Sequence, residues 1–268
     1  MRSRILIILA ISGFLATFSG CGLMSKRYLK TESFERTVST ADIKKIRLEN
    51  ISGNIQIKQG TDSSQLIVEA IKEIKVRKKD LDKPLDEIEI KIDTEDNVIR
   101  IKTEYSTPER KTIFRINMGN MANVDYVITV PPGIDLNIEN INGNVTSDKL
   151  DNDLTLDLVN GKTTITNYSG ILECKIVNGS FTGEIINTNG VSINSVNGSI
   201  TLNLNNYINA EISAETVNGK ISDSNLMIKE IEKKKRKFKG YLGSGSPDTQ
   251  IKASTVNGKI QFIGKDEI

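Results

Sequence analysis

The stretch "DLVNGKTTI" at residues 157–165 decides the fold, because close variants of its centre recur along the chain. The other copies are "ENINGNVTS" at 139–147, "KIVNGSFTG" at 175–183, "NSVNGSITL" at 194–202, "ETVNGKISD" at 215–223 and "STVNGKIQF" at 254–262, and Ser52-Gly53 marks a first, degenerate copy. From Asn142 to Asn218 the turns recur every 18 to 21 residues. A constant period near 20 residues is typical of repeat arrays, since each coil must return the chain to the same place.

Apolar residues occupy fixed positions around every turn. Counted from the turn Asn, they stand at the sixth, fourth and first positions before it and at the third position after it. In the copy at Asn160 these positions hold Leu154, Leu156, Val159 and Thr163, of which Thr163 departs from the apolar pattern. Polar residues alternate with them and β-branched residues are frequent, which predicts strands with one buried face. Each of the four positions, repeated in every copy, is expected to form one row of that buried face.

The Asn-Gly pair predicts a tight corner, because both residues tolerate positive φ at little cost. The same pair is also the strongest signal for a β-hairpin, so an antiparallel meander or a β-sandwich is the alternative architecture. The constant period, always with the same phase of apolar residues, favours a parallel β-helix or a related solenoid instead. Equivalent inward residues would then stack about 4.8 Å apart.

The beginning of the chain has the anatomy of a secretory signal. Arg2 and Arg4 precede an apolar run over 5–18, and small residues lead to a cysteine. The segment resembles a bacterial lipoprotein signal peptide, in which the sequence before Cys21 is cleaved and its thiol carries a lipid such as palmitate. Phe18 departs from the usual Leu. An uncleaved transmembrane anchor is the alternative, although the run is shorter than the roughly 20 residues that span a bilayer.

Charge and cysteine content limit the kinds of partner and of cross-link that are expected. The whole chain has 36 Lys and Arg against 34 Asp and Glu, and loss of Arg2 and Arg4 with the signal leaves 34 of each sign. A mature chain of zero formal charge has no domain-wide positive field, so nucleic acid is not an expected partner. If Cys21 is lipidated, Cys174 stands alone and no intramolecular disulfide can form.

The Val-Asn-Gly copies, the "VITVPPG" stretch at 127–133 that leads into them, and the lipoprotein-like start resemble the bacterial putative-adhesin family of β-strand-repeat proteins. That family is a domain of unknown function found in envelope lipoproteins. The resemblance covers about residues 40–265 and implies a secreted or envelope-anchored right-handed parallel β-helix. It implies no catalytic residues and no cofactor.

The predicted organisation has three parts. Residues 1–20 are the signal peptide, 21–40 form a polar tether, and 41–265 form the β-solenoid. Within the solenoid, 41–135 depart from the repeat and predict an irregular β section that caps one end, with "DTEDN" at 93–97 as a hairpin turn. Residues 136–265 hold the regular Asn-Gly repeats.

A basic segment interrupts the repeats at 229–247, with seven Lys or Arg between Lys229 and Lys239. It is predicted to be a solvated loop that leaves the solenoid. The alternative is a patch for anionic lipids, acidic glycans or nucleic acid, but one Phe and one Tyr are too few aromatic residues for a base-stacking platform.

An enzymatic role is not expected. The chain contains no His, which removes the commonest general base and every Ser-His or Cys-His nucleophile. Cys174 falls in an inward row, where a free Cys behaves as a small apolar residue. Glu139 and Asp157 occupy equivalent outward positions and could bind Ca²⁺ or a sugar, although a solvated polar face is the simpler interpretation. No catalytic, metal or cofactor residue is therefore assigned.

The sequence thus favours a lipid-anchored, non-catalytic module of the cell envelope, attached to the bilayer through Cys21 and presenting a surface for a glycan or protein ligand. Two other classes stay open at this point: a structural or stress-associated scaffold of the envelope, and a polysaccharide-active β-helix enzyme that uses outward carboxylates.

Overall fold

The computed structural model describes residues 27–82, 85, 88–105 and 122–266. Within these ranges the chain forms one sheet of seventeen strands and no α-helix, with a short 3-10 turn at Lys78–Asp80. The prediction of an all-β protein is confirmed. The sheet is mixed, with parallel pairs in the repeats and antiparallel pairs at both ends, so a uniformly parallel right-handed β-helix is not established. In the same ranges, no helix has the length and apolar character to cross a membrane.

The seventeen strands of the described ranges vary in length. The first nine are β1 (Arg27–Ser39), β2 (Lys45–Ser52), β3 (Ile55–Gln59), β4 (Gln65–Arg77), β5 (Ile88–Glu95), β6 (Val98–Tyr105), β7 (Ala122–Val130), β8 (Asp135–Asn142) and β9 (Val145–Leu150). The remaining eight are β10 (Leu154–Asn160), β11 (Thr163–Asn178), β12 (Phe181–Asn197), β13 (Ile200–Asn205), β14 (Ala210–Ser224), β15 (Ile228–Lys234), β16 (Lys237–Leu242) and β17 (Thr249–Lys265).

The repeats stack as two parallel ladders joined at the Asn-Gly corners. Segments before each corner pair in the order β2, β8, β10, β11, β12, β17 and β14, and we call this the pre-turn ladder. Segments after each corner form the post-turn ladder in the matching order β3, β9, β11, β12, β13, β17 and β14. One segment of each kind makes a rung. Equivalent residues lie side by side, as Asn142 and Asn160 do, and this parallel register excludes the meander for the repeats.

Three of the four predicted inward rows are buried, and the fourth is not. Leu154, Leu156 and Thr163 are buried, as are their equivalents in the other rungs. The row directly before the corner is 38% to 56% exposed and comprises Ile51, Ile141, Val159, Val177, Val196, Val217 and Val256. The prediction for this row was wrong because it lies three positions after an inward residue, and an odd offset along a strand points to the opposite face.

Each corner depends on a backbone contact between rungs that leaves no room for a side chain. A Cβ built on Gly161 would lie 1.9 Å from the carbonyl oxygen of Gly143, and one on Gly179 would lie 1.7 Å from that of Gly161. Glycine is therefore required by close approach of the backbones. Among the described residues, no corner Asn has positive φ, so the predicted reason for Asn was wrong.

The corner asparagines instead bond to one another along the stack. Asn160 Nδ2 donates to Asn142 Oδ1 at 2.9 Å, and Asn178 Nδ2 donates to Asn160 Oδ1 at 3.0 Å. The series continues through Asn197, Asn257 and Asn218 with distances of 2.7–2.9 Å. Each amide donates to one neighbour and accepts from the other, and this requires the same side chain at the same height in successive rungs.

The last strand of the chain is inserted into the stack. β17 pairs with β12 and β13 on one side and with β14 on the other, so the rung of Asn257 lies between those of Asn197 and Asn218. On its other edge β14 pairs antiparallel with β16. The repeats therefore do not stack in chain order, and the described part of β14 is joined to the earlier rungs through β17.

Antiparallel segments cover both ends of the stack. At the first end β4 pairs with β7 and with β1, and β5 with β6 form the predicted hairpin, whose turn residues Asp96 and Asn97 have φ of 51° and 62°. At the other end β15 and β16 cover β14, and the Phe238 ring stacks on Phe262 at a centroid distance of 5.7 Å. Within the described ranges the outermost strands β1, β5 and β15 each carry several charged residues, which disfavours pairing with another chain.

Two predicted segment boundaries differ from the structure. Residues 27–39, assigned to the tether, form strand β1, in which alternate side chains are mostly half-buried and the others are exposed to solvent. Most of the predicted loop at 229–247 is the hairpin of β15 and β16. Both were missed because charged residues at alternate positions of an edge strand resemble the composition of a solvated linker.

Insertion of β17 is tested by cross-linking. Asn194 pairs with Ser254, and adjacent strands lie about 4.8 Å apart, within the Cα separation that a disulfide accepts. We expect Asn194→Cys/Ser254→Cys to form an intramolecular disulfide, detected by thiol alkylation and mass spectrometry. Asn194→Cys/Glu215→Cys, two strand spacings apart, stays reduced. The opposite result would mean that the repeats stack in chain order.

The glycine contact is tested by Gly161→Ala. The added methyl group must displace backbone, and we expect a loss of roughly 1–3 kcal/mol of unfolding free energy in denaturant titrations. Native-state hydrogen exchange should accelerate mainly in the adjoining rungs, since each rung contacts only its neighbours. Gly190→Ala is the matched control, because its Cβ would meet only Ile171 Cγ2 at 4.0 Å. Equal tolerance of both variants would refute the contact.

Candidate functional site

A groove runs along the outer surface of the pre-turn ladder, across the strands. Its volume is about 660 Å³, and it extends over β6, β2, β8, β10, β11 and β12. Six strands at about 4.8 Å spacing make it about 24 Å long. Two rows of outward side chains form the walls, and the buried residues between the rows, such as Leu158 and Ile176, lie beneath the floor.

One wall is the exposed row of β-branched residues described above. Ile51, Ile141, Val159, Val177 and Val196 line the groove, and Val256 and Val217 continue the row beyond it. Five aliphatic side chains in consecutive rungs form a continuous apolar strip. A contiguous exposed strip of this kind on a soluble surface is typical of an interaction site, whereas isolated exposed apolar residues are not.

The opposite wall carries charged and polar side chains two residues earlier in each rung. From one end to the other it reads Lys102, Glu49, Glu139, Asp157, Lys175 and Asn194. Arg47 contacts two of these carboxylates, with Nη2 donating to Glu139 Oε1 at 2.6 Å and Nε lying 2.9 Å from Glu49 Oε1. One guanidinium therefore contacts both carboxylates and offsets half of their combined charge.

Asp157 differs from its neighbours at the centre of the wall. Within the described ranges its carboxylate has no hydrogen bond and no ion pair within 4 Å. Lys175 in the next rung is bound by Glu173 at 3.2 Å. The hydrogen bond that Lys175 donates to Glu173, with the charge of Asp157 as the second contribution, raises the pKa of Lys175 above its ordinary value. Asp157 is thus a free acceptor that faces the apolar strip across the groove.

The structure places the predicted pair Glu139 and Asp157 side by side in adjacent strands. Glu139 is already engaged by Arg47, and the described residues contain no group of three or more side chains able to hold a metal ion. The pair therefore offers one unengaged carboxylate.

Cys174 is fully buried in the inward row, next to Leu156 and Ile193 in the adjoining strands. Burial is the main cause that raises the pKa of its thiol well above the ordinary value, and the nearby charge of Asp157 acts in the same direction. A buried thiol that stays protonated cannot act as a nucleophile. The predicted packing role of Cys174 therefore agrees with its position.

The basic segment is mostly neutralised by its own surroundings. Lys233 Nζ lies 2.9 Å from both Asp223 and Glu230, Lys234 contacts Glu232 at 2.6 Å, and Lys239 contacts Glu211 at 3.1 Å. Two of these pairs lie within β15, and the others join the hairpin to β14. The segment is therefore a charge-paired edge of the sheet, and it does not present the concentrated positive field expected of a polyanion site.

The lipidation residue Cys21 and the signal at 1–20 lie outside the described residues. Of the other residues singled out from the sequence, Glu139 and Asp157 lie in the groove, whereas Cys174 and the basic segment lie elsewhere. The apolar wall was missed as a surface. The signal was present in the odd spacing between Leu156 and Val159, which puts two apolar residues of one strand on opposite faces.

Comparisons with known proteins give similar structures at low identity. A putative cell adhesion protein from Clostridium sporogenes has a TM-score of 0.46 and 15% identity, with 88% of this chain and 100% of that one covered. A putative adhesin from Bacteroides fragilis has a TM-score of 0.31 and 16% identity over 86% and 97% of the two chains. A putative lipid binding protein from Parabacteroides distasonis has a TM-score of 0.27 and 14% identity over 87% and 96%. No protein-family model and no curated protein matches the chain.

Proposed function

We propose that the chain is a lipid-anchored, non-catalytic binding module of the cell envelope, and that its ligand lies lengthwise in the groove. The observation that carries the proposal is the exposed aliphatic strip opposite Asp157, continuous over five rungs. β-Branched side chains normally occupy buried strand faces, and their water-exposed repetition leaves apolar area that a ligand would cover.

The shape of the groove favours an elongated ligand. No single rung offers enough area for specific recognition, whereas about 24 Å of groove contacts several units of a glycan or an extended stretch of protein. Apolar edges of the ligand would lie on Val159 and Val177, and a hydroxyl or amide group would donate to Asp157. A binding role also fits the absence of His from the chain and the buried, protonated thiol of Cys174.

We also propose that the whole repeat region is a right-handed parallel β-helix closed by antiparallel covers, a member of the adhesin-like β-strand-repeat proteins. The in-register ladder of corner asparagines supports a helical coil, because a repeat that drifts in register would break these bonds. Attachment to the envelope rests on the signal anatomy before Cys21.

Lipid attachment is tested by metabolic labelling with a fatty-acid probe. We expect the wild-type chain to incorporate the label and to sediment with membranes, and Cys21→Ala to lose both properties, because its thiol is the acceptor. Cys174→Ala is the matched control and should stay labelled, since Cys174 is buried. A wild-type chain without label would end the anchoring proposal.

The groove is tested by binding to a panel of immobilised neutral and acidic polysaccharides and extracellular proteins. We expect Val159→Asp/Val177→Asp to weaken the strongest binding at least about tenfold, because carboxylates replace apolar contacts worth on the order of 1 kcal/mol or more. The thermal midpoint should change little, since both side chains are exposed. Asp157→Asn tests the opposite wall.

The matched control for this double variant is Thr164→Asp/Thr182→Asp. It puts the same pair of charges in adjacent rungs of the post-turn ladder, away from the groove. Binding that is unaffected by the groove variant, or that both variants weaken equally, would count against the groove. Turnover of any polysaccharide that disappears in Asp157→Asn would instead establish an enzyme.

A further inference from the structure

Two clusters of cations lie at the covered ends of the stack, and most members of only one of these clusters form ion pairs within the described ranges. The hairpin of β15 and β16 forms ion pairs with Asp223, Glu211, Glu215, Glu230 and Glu232. Six cations at the beginning of β1 and the end of β4 form none within the described ranges. We call them the basic tip: Arg27, Lys30, Lys75, Arg77, Lys78 and Lys79.

The basic tip is held together by the strand register. Arg27 pairs with Arg77 and Leu29 with Lys75, so Arg27, Lys75 and Arg77 share one face at one end of a two-stranded ribbon. Lys30, which pairs with Ile74, lies on the other face. Within the described ranges, β4 pairs with β7 as far as Ile74 and Ala122. Repulsion between neighbouring cations disfavours this arrangement unless an anionic surface compensates for it.

Apolar side chains on the same face complete an amphipathic surface. Leu29 is 58% exposed beside Lys75, and Ile71 is 50% exposed opposite Ser33, four register positions further along, with Glu73 between Lys75 and Ile71 on the same face. Glu73 and Asp80 are the nearest acids on β4 and the turn after it, and they leave a clear excess of positive charge. Exposed aliphatic residues among cations are typical of surfaces that bind at the interface of an anionic bilayer.

The position of the basic tip relative to Cys21 points to the same partner. Only five residues separate Cys21 from Arg27, and six fully extended residue steps span at most about 22 Å. A lipid on Cys21 would therefore hold the tip within a short distance of the headgroups, where cations are attracted once they come within about a Debye length.

We propose that the basic tip binds the anionic phospholipid headgroups of the membrane that holds the anchor, an inference that rests on the proposed anchoring of Cys21. A single acyl chain gives marginal binding, and a polybasic patch supplies a second attachment that stabilises it. The tip also fixes how the stack is oriented on the membrane, because one end of β1 and β4 is held against the surface.

The experiment uses the full lipidated chain in vesicles of phosphatidylcholine, with or without phosphatidylglycerol. An environment-sensitive fluorophore is attached at Leu29→Cys, while lipid blocks Cys21 and burial protects Cys174. We expect a blue shift of emission with phosphatidylglycerol that reverses at high salt. The same label at Tyr207→Cys, 71% exposed in the loop after β13, is expected not to shift.

Charge dependence is measured in the same background. Each cation near an anionic surface changes binding about fivefold, so Lys75→Gln/Arg77→Gln should lower the ratio of docked to undocked tip about 25-fold. Lys235→Gln/Arg236→Gln, with the same charge change in the β15–β16 turn, should leave the ratio unchanged. Equal effects of the two pairs of substitutions would overturn the proposal. So would an emission of the Leu29→Cys label that does not change with phosphatidylglycerol.

Failure of the anchor is distinguished by flotation. If the chain does not float with phosphatidylcholine vesicles, anchoring through Cys21 is wrong. The Cys21→Ala chain then tests the basic tip. Salt-sensitive flotation with anionic vesicles, reduced by Lys75→Gln/Arg77→Gln, would support the tip proposal. Flotation that is insensitive to salt and to those substitutions would refute it. If a soluble acidic polysaccharide shifts the Leu29 label as strongly as the anionic vesicles do, the partner is a glycan and the lipid assignment is wrong.

Discussion

The rest of the structure depends on the close contact between glycine backbones at the corners. A Cβ on Gly143, Gly161, Gly179 or Gly198 would lie within 2.0 Å of the carbonyl oxygen of the glycine below it, so only glycine allows the rungs to approach. This approach puts the neighbouring Asn amides within 2.9–3.0 Å of one another and holds successive rungs in register. Because a side chain points inward or outward by its position along the strand, fixed register makes every row of the protein continuous.

Continuous rows explain how a repetitive core can carry a specific surface. Inward rows stack Leu, Ile and Val into one core, and buried polar residues near the corners bond to backbone: Asn140 Nδ2 donates to Gly53 O at 2.9 Å, and Thr255 Oγ1 donates to Gly198 O at 3.0 Å. The outward rows are free of that requirement. Five aliphatic residues in one of them, opposite a row in which Arg47 contacts two carboxylates, make a groove with a single unengaged acid, Asp157.

The two covered ends of the stack differ in charge, so the two ends are not equivalent as surfaces. In the hairpin of β15 and β16, lysines form ion pairs with glutamates, and the ring of Phe238 stacks on Phe262. The ribbon of β1 and β4 gathers cations without partners in the described part of the chain, at the point where the chain arrives from Cys21. In the anchored state that we propose, the ribbon would set the orientation of the stack on the membrane and therefore the orientation of the groove.

The sequence by itself determined the all-β class, the rung period, the corners, the hairpin at Asp96 and Asn97, and the burial of Cys174, because each follows from local spacing and residue type. Only the tertiary structure decided that β17 lies between β12 and β14. All copies carry the same pattern, so local sequence cannot choose which copy pairs with which, and long-range pairing makes that choice. The same applies to the groove and the basic tip, since residues that are neighbours in the structure can be far apart in the chain, as Arg47 and Glu139 are at a separation of 92 residues. Residues that meet only across rungs have no local signature in the sequence.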